Sequence, residues 1–213
     1  DPDMAGDPRL QSLTARTVLT HTTGFPNWRF FRSDGKLAFA RAPGEAYGYS
    51  GEGFEYLARA ISNKLQRPFP QVVQERVFEP AGMRHAVMDI RRDGLRDVAI
   101  PIDDEGTTHP MWCRPKGWCR EEGSYSAADD MLVTVPDYAR FLAMIARDES
   151  GNAGTPLSRG GALIDTGDDA LVDCEDSTTV ECPRAQGYGL GFQVIEYDAM
   201  LILGHGGNDW AEV

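Results

Sequence analysis

Apolar side chains recur at spacings of three and four along Phe54, Leu57, Ala58, Ile61 and Leu65, which predicts a helix over about residues 52–66 with one buried face. Pro43-Gly44 upstream predicts a turn. Ser50 is the expected N-cap, its hydroxyl accepting from a first-turn amide that has no partner inside the helix. Tyr49 then stands at the mouth of the helix, where the dipole favours negative charge. A phenol held there is a candidate general base; the plainer reading is a ring packed beside a helix cap.

The other elements follow from the same pattern. A short helix is expected over about Thr14 to Thr22, with Thr14 as cap, Val18 and Leu19 buried, His21 in the last turn and Gly24 as the stop. His21 reads better as a structural histidine bonded to backbone than as a catalyst. Residues 1–12 read as a connecting segment with no core of its own. Residues 25–42 hold Phe25, Trp28, Phe30, Phe31 and Phe39 in irregular order, a loop pinned by aromatics. A helix from Pro70 to Phe78 is expected to be closed by Pro80 and Gly82. Residues 84–125 read as mostly irregular, long enough to be functional or cross-linked. Thr134-Val135-Pro136-Asp137 opens a helix to about Arg147. Tyr188 to Glu196 and Met200 to Leu203 read as two strands joined at Tyr197-Asp198-Ala199, with glycines at the end of the second.

Composition narrows the classes. The chain is 41% hydrophobic and 25% charged, ordinary for a globular protein. A net charge of -12 argues against nucleic acid, whose phosphates need a basic face, and disfavours an anionic membrane surface. No apolar run approaches the ~20 residues of a membrane span. Cys113, Cys119, Cys174 and Cys182 fall into two close pairs, an even count that points to disulfides and to a periplasmic or secreted protein. Spacing alone does not say which cysteine pairs with which; each close pair is expected to lie within bonding reach. The five and seven intervening residues do not match zinc-ligand spacing, and no metal or other cofactor is expected. The acidic stretch from Asp165 to Glu181 reads as a solvated excursion stapled by Cys174 and Cys182.

Five stretches in order resemble the penicillin-recognising serine hydrolases, specifically the class C β-lactamase branch with its esterase and D-Ala-D-Ala carboxypeptidase relatives. Leu13 to Gly24 resembles that family's threonine-histidine-threonine-serine-glycine helix. Pro43-Gly44-Glu45 and Tyr49-Ser50-Gly51 resemble its proline-glycine turn and tyrosine-x-asparagine motif. Val77 to Met83 and Gly123 to Asp130 match two further stretches. Tyr188-Gly189-Leu190-Gly191-Phe192 with Gly204-His205-Gly206-Gly207 resembles the paired strands at the lysine-threonine-glycine position, often histidine-x-glycine in esterase-like members. The resemblance implies an α+β fold of the β-lactamase (DD-peptidase) type. Here it would be mostly the helical subdomain with long loops, about 14–160, plus an antiparallel sheet edge at about 185–207, truncated at both ends.

It also implies an acyl-enzyme mechanism on a small-molecule ester, amide or peptide. Tyr49 would be the acid/base residue and His205 its orienting partner. Gly51, Gly206, Gly207 and Asn208 would lie against the substrate. Two departures qualify this. The motif ends in Gly51, so the side-chain amide is missing, which weakens the β-lactamase reading and favours an esterase-like or unassigned hydrolase. The serine-x-x-lysine motif is absent upstream of the threonine-histidine helix, and Ser33-Asp34-Gly35-Lys36 matches it only in a turn-forming context. The chain is therefore expected to be a middle fragment, inactive alone, whose partners include the missing segments of its own parent. The competing readings are a catalytically silent binding module on the same fold and a metal-binding domain around His109, Cys113 and Cys119.

Overall fold

The structure, a computed structural model, describes residues 1–113, 119–147, 174 and 182–207. Among the described residues there are five α-helical segments: α1 (Ala15–Leu19), α2 (Gly51–Leu65), α3 (Phe69–Val73), α4 (Glu79–Ala81) and α5 (Val135–Arg147). They are accompanied by one antiparallel sheet of β1 (Ala185–Tyr188), β2 (Gln193–Glu196) and β3 (Leu201–Gly204), in the order β1-β2-β3. The chain divides into two compact units, residues 1–57 with 145–205, and residues 58–144 with 206–213.

The core of the first unit is Met4, Phe25, Leu37 and Phe39, with Leu10, Leu13 and Tyr56 packed against it. Residues 1–12 are thus not a bare connector. Two 3₁₀ turns, capped by the Asp1 and Asp7 side chains, drive Met4 into the core. Among the aromatics of residues 25–42, Phe25 and Phe39 pin the loop, while Phe30 and Phe31 face solvent. Thr14 and Thr17 form a reciprocal capping box at α1. That helix stops at Leu19, where the His21 amide turns back to the Val18 carbonyl (3.0 Å) and the Thr22 amide to the Thr17 carbonyl (2.8 Å), while the Thr20 hydroxyl donates to the Arg16 carbonyl (2.8 Å). His21 therefore lies beyond the helix, at φ 52°, and not in its last turn.

The sheet differs from the expected hairpin. Tyr188 to Glu196 is not one strand. The Gly189 amide donates to the Phe192 carbonyl (2.8 Å), and Gly191 takes φ 78°, so the chain reverses and β1 pairs with β2 before β2 pairs with β3. The Gly191 amide also donates to the Leu19 carbonyl (2.7 Å), which docks this turn on the end of α1.

The second unit is built on Phe78, Met83, Ala86 and Met88, surrounded by Phe69, Val73, Val77, Tyr125, Val133 and Phe141. Leu65, expected on the buried face of α2, is instead half-exposed at the end of the helix. Pro80 does not stop the following helix. A wide turn over Gln74–Phe78, in which the Glu79 amide reaches back to the Gln74 carbonyl, changes the carbonyl register ahead of the proline, and α4 continues through it. Gly82, left-handed at φ 70°, ends the run. Thr134 caps α5 by accepting from the Asp137 amide (3.3 Å). Buried Asp137 in turn accepts from the His85 amide (2.6 Å) and pairs with Arg140. Burial opposes its ionisation, but those donors outweigh the penalty and hold its pKa below the usual carboxylate range.

The described residues of the 84–125 stretch are loop held by isolated bridges, Val87 with Leu132 and Ile90 with Ser124, by a 3₁₀ turn at Asp93–Asp97, and by the Cys113–Cys119 disulfide. Cys174 and Cys182 are joined as well. The rest of the acidic stretch lies outside the described residues. Among the described residues, no helix is long and apolar enough to cross a membrane.

Candidate active site

The segment after α1 is the frame of the site. The His21 carbonyl accepts from the Gly48 amide (2.8 Å), that of Thr22 from Gly44 (2.7 Å) and that of Gly24 from Ala40 (2.8 Å). These bonds lace residues 40–48 along the segment and deliver Tyr49 to its end. Thr20, His21, Thr22 and Thr23 are all buried and all partnered. The Thr20 and Thr22 hydroxyls meet at 2.9 Å, and the Thr23 hydroxyl accepts from the Phe25 amide at 3.0 Å. Four consecutive buried polar side chains are tolerated because each recovers its lost hydration.

The start of α2 is equally well held. The Ser50 hydroxyl accepts from the Gly53 amide (3.0 Å) and donates to the Pro26 carbonyl (2.8 Å). The Gly51 amide donates to Asn27 Oδ1 (3.0 Å) and the Glu52 amide to the Asn27 carbonyl (2.9 Å). These first-turn amides have partners of their own, so the helix reaches Tyr49 through its dipole field. Buried Glu52 takes the Arg29 guanidinium at 2.6 and 2.9 Å, and Arg29 also meets Asp1 (2.7 Å) and Asp3 (3.3 Å). That network ties the N-terminal turns to the entry of α2.

Around Tyr49 the rings converge. Its hydroxyl lies 3.5 Å from His205 Nε2, at the far end of hydrogen-bond reach. Its face stacks on His21, centroids 4.2 Å apart at 29°. His21 Nδ1 accepts from the Ser50 amide (3.0 Å), and its Nε2 lies 3.2 Å from the Tyr188 hydroxyl. Tyr188 stands edge-on to His205 and beside Tyr47. Burial, with a smaller push from His205, lowers the His21 pKa to about 4. Burial, reinforced by Tyr49 and Tyr47, raises that of Tyr188 above the ordinary phenol value. His21 and Tyr188 are thus neutral at pH 7. Tyr49 is 43% exposed and His205 is exposed, so these two have access to solvent and to a ligand.

The structure brings Tyr49 and His205 together. Gly51 is buried under Trp28, where a Cβ would stand 2.5 Å from the indole Cζ2. Gly206 and Gly207 are exposed, with open space where a side chain would go. Asn208 lies outside the described residues. Tyr188 is a site residue that the sequence pattern did not single out; the available signal was a tyrosine between Gly187 and Gly189 at a strand end. Ser33-Asp34-Gly35-Lys36 forms an exposed turn, with Asp34 paired to Arg32 and Gly35 at φ 62°. The other lysines, Lys64 and Lys116, have Ile61 and Cys113 three residues earlier. The metal reading loses its thiolates to the Cys113–Cys119 bond, and His109 Nε2 sits 2.7 Å from Asp103.

A family model described as Beta-lactamase matches residues 3–212, nearly the whole chain. The chain belongs to the beta-lactamase family. As a family member it is 27% identical over 173 residues to a D-aminopeptidase of Brucella anthropi, covering 78% of this chain and 28% of that protein. It is 25% identical over 130 residues to a D-aminopeptidase of Gluconobacter oxydans, covering 59% and 22%. The chain therefore spans well under half the length of these relatives. Its fold matches the D-amino acid amidase of Ochrobactrum anthropi SV3 complexed with L-phenylalanine amide, with TM-score 0.59 at 17% identity over 95% of this chain and 59% of that one. The octameric penicillin-binding protein homologue from Pyrococcus abyssi gives TM-score 0.59 at 18% identity over 93% and 50%. The fold is that of the β-lactamase and DD-peptidase hydrolases, with helices and a small antiparallel sheet covering part of those structures.

Proposed function

We propose that this beta-lactamase family member is the acid/base portion of a serine hydrolase acting on the amide or ester of a small amino-acid derivative. The observation that carries the reading is the Tyr49 hydroxyl beside His205 Nε2, on a frame of buried, fully partnered polar groups. The nucleophile comes from a segment outside these 213 residues, since the Ser33 turn has the wrong conformation for it. In the reaction, the serine oxygen bonds to the acyl carbon as its proton passes to the Tyr49 phenolate. Tyr49 then returns the proton to the departing amine or alcohol as the carbon–nitrogen or carbon–oxygen bond breaks. Water reverses these roles, releasing the acid and freeing the serine. His205 orients the phenol. Relatives named D-aminopeptidase support an amide substrate with a free amino group. Two disulfides support a periplasmic or extracellular parent.

The silent-module alternative is favoured by one observation, the indole of Trp28 over Gly51 where the motif carries an amide. Intact-mass measurement after fluorophosphonate treatment separates the readings. The 213-residue chain stays unlabelled, while a longer parent carrying serine-x-x-lysine takes one label and hydrolyses D-phenylalanine amide. A parent that takes no label and turns over no amide or ester removes the hydrolase reading. A stoichiometric adduct on Ser33 removes the missing-nucleophile reading.

A further inference from the structure

We propose that His21 and Tyr188 form a buried positioning pair that holds Tyr49 against His205, with His21 acting as the neutral tautomer protonated on Nε2. The role of Tyr49 it serves is the one proposed above, but the pair itself is argued from geometry. Nδ1 faces the Ser50 N–H at 3.0 Å, so it must carry the lone pair. The single proton of a neutral ring is then on Nε2, and it is donated to the Tyr188 hydroxyl at 3.2 Å. Ser50 directly follows Tyr49, so this acceptor sets the peptide that aims the phenol. The ring face supplies a second constraint, stacked on Tyr49, with Phe54 tilted against the same ring at 5.2 Å.

The pair joins two parts of the site. Tyr188 ends β1, β1 pairs with β2, and β2 pairs with β3, the strand that leads into His205. One hydrogen bond from His21 thus links the loop that aims Tyr49 to the sheet that carries its partner. His21 takes φ 52° as the left-handed residue that closes α1, its own amide donating to the Val18 carbonyl (3.0 Å) and the Thr22 amide to the Thr17 carbonyl (2.8 Å), which fixes where the ring enters the site. A second proton on His21 would set two donors face to face at Ser50 and break the arrangement. Among the described residues, the titratable groups facing the ring are Tyr47, Tyr49, Tyr188 and His205, and none of these is a carboxylate that would stabilise such a cation.

The test uses the 213-residue chain labelled with ¹⁵N and ¹³C. The expected His21 spectrum is that of the Nε2–H tautomer at pH 7, with nuclear Overhauser contacts between the Tyr49 and His205 rings. Tyr188→Phe removes one oxygen and keeps the ring packing, so it does not depend on a His21 variant folding. It is expected to weaken the Tyr49–His205 contacts at unchanged far-UV dichroism. His21→Asn suits the left-handed backbone and retains an acceptor for Ser50, so it should fold while losing the stack and the link. Unchanged Tyr49–His205 contacts in Tyr188→Phe, or an Nδ1–H tautomer in the parent, would overturn the pair. In a longer, active parent Tyr188→Phe is expected to lower kcat about tenfold, the rate equivalent of one hydrogen bond, with KM unmoved. A parent without turnover would sink the hydrolase reading and leave the spectroscopic result to decide the pair.

Discussion

The six-membered ring of Trp28 occupies the space that a side chain at position 51 would need. A Cβ on Gly51 would stand 2.5 Å from Cζ2 and 2.8 Å from Cη2 of the indole, well inside contact distance. The motif this segment resembles has asparagine there. Gly51→Asn is therefore expected to destabilise the protein by about 1–3 kcal/mol, the usual cost of overpacking. Trp28→Ala should open the space. The double variant is then expected to regain part of the loss, with a coupling of about 0.5–3 kcal/mol between two residues in contact. Urea unfolding of the two single variants and the double gives that coupling directly. Simple additivity would mean that the indole is displaced at no cost.

Tyr49 and His205 carry different expectations. In an active longer parent, Tyr49→Phe should lower kcat/KM on a chromogenic ester or amide by about 10²–10⁴-fold, because proton transfer is lost while the ring remains. Thermal unfolding should barely move. His205→Ala should cost less, since it orients the phenol and does not carry the proton. Full activity in Tyr49→Phe with loss in His205→Ala would reverse the two roles.

Acid stability should report His21. Its folded pKa, lowered to about 4, lies beneath the ordinary value of 6.5, so the native state binds fewer protons than the unfolded chain in that interval. The stability conferred by a neutral His21 is full above pH 6.5 and falls as the pH drops toward 4. At the bottom of the window the loss is about 3 kcal/mol, at 1.36 kcal/mol per pKa unit. The His21→Asn variant should flatten this dependence. A parent and variant that lose stability in parallel between pH 6.5 and 4 would contradict the assignment.

The two disulfides close short loops. Replacing either pair by serine should cost about 2–3 kcal/mol by the chain-entropy estimate. Peptide mapping without reductant should return Cys113 linked to Cys119 and Cys174 linked to Cys182. Crossed pairs or free thiols would contradict the connectivity.

Much of this was legible in the residue order, and the reason is local. The three- and four-residue spacing of Phe54, Leu57, Ala58 and Ile61, with Ser50 before it, marked α2 and its cap, because helix periodicity and N-cap chemistry act within one or two turns. Thr134 marked α5 in the same way. The family was legible from five short stretches in order. Tertiary structure decided what depends on partners distant along the chain. Met4 is core because Phe25, Leu37 and Phe39 come to it. α4 runs through Pro80 because a wide turn precedes it. Gly51 is a packing glycine because Trp28 covers it. His21 could be read as a structural histidine, but its place under Tyr49 and its bond to Tyr188, 167 residues away, arise only when the sheet docks on the end of α1. Sequence spacing carries no information on such a contact, since two side chains so far apart meet only through the packing of everything between them.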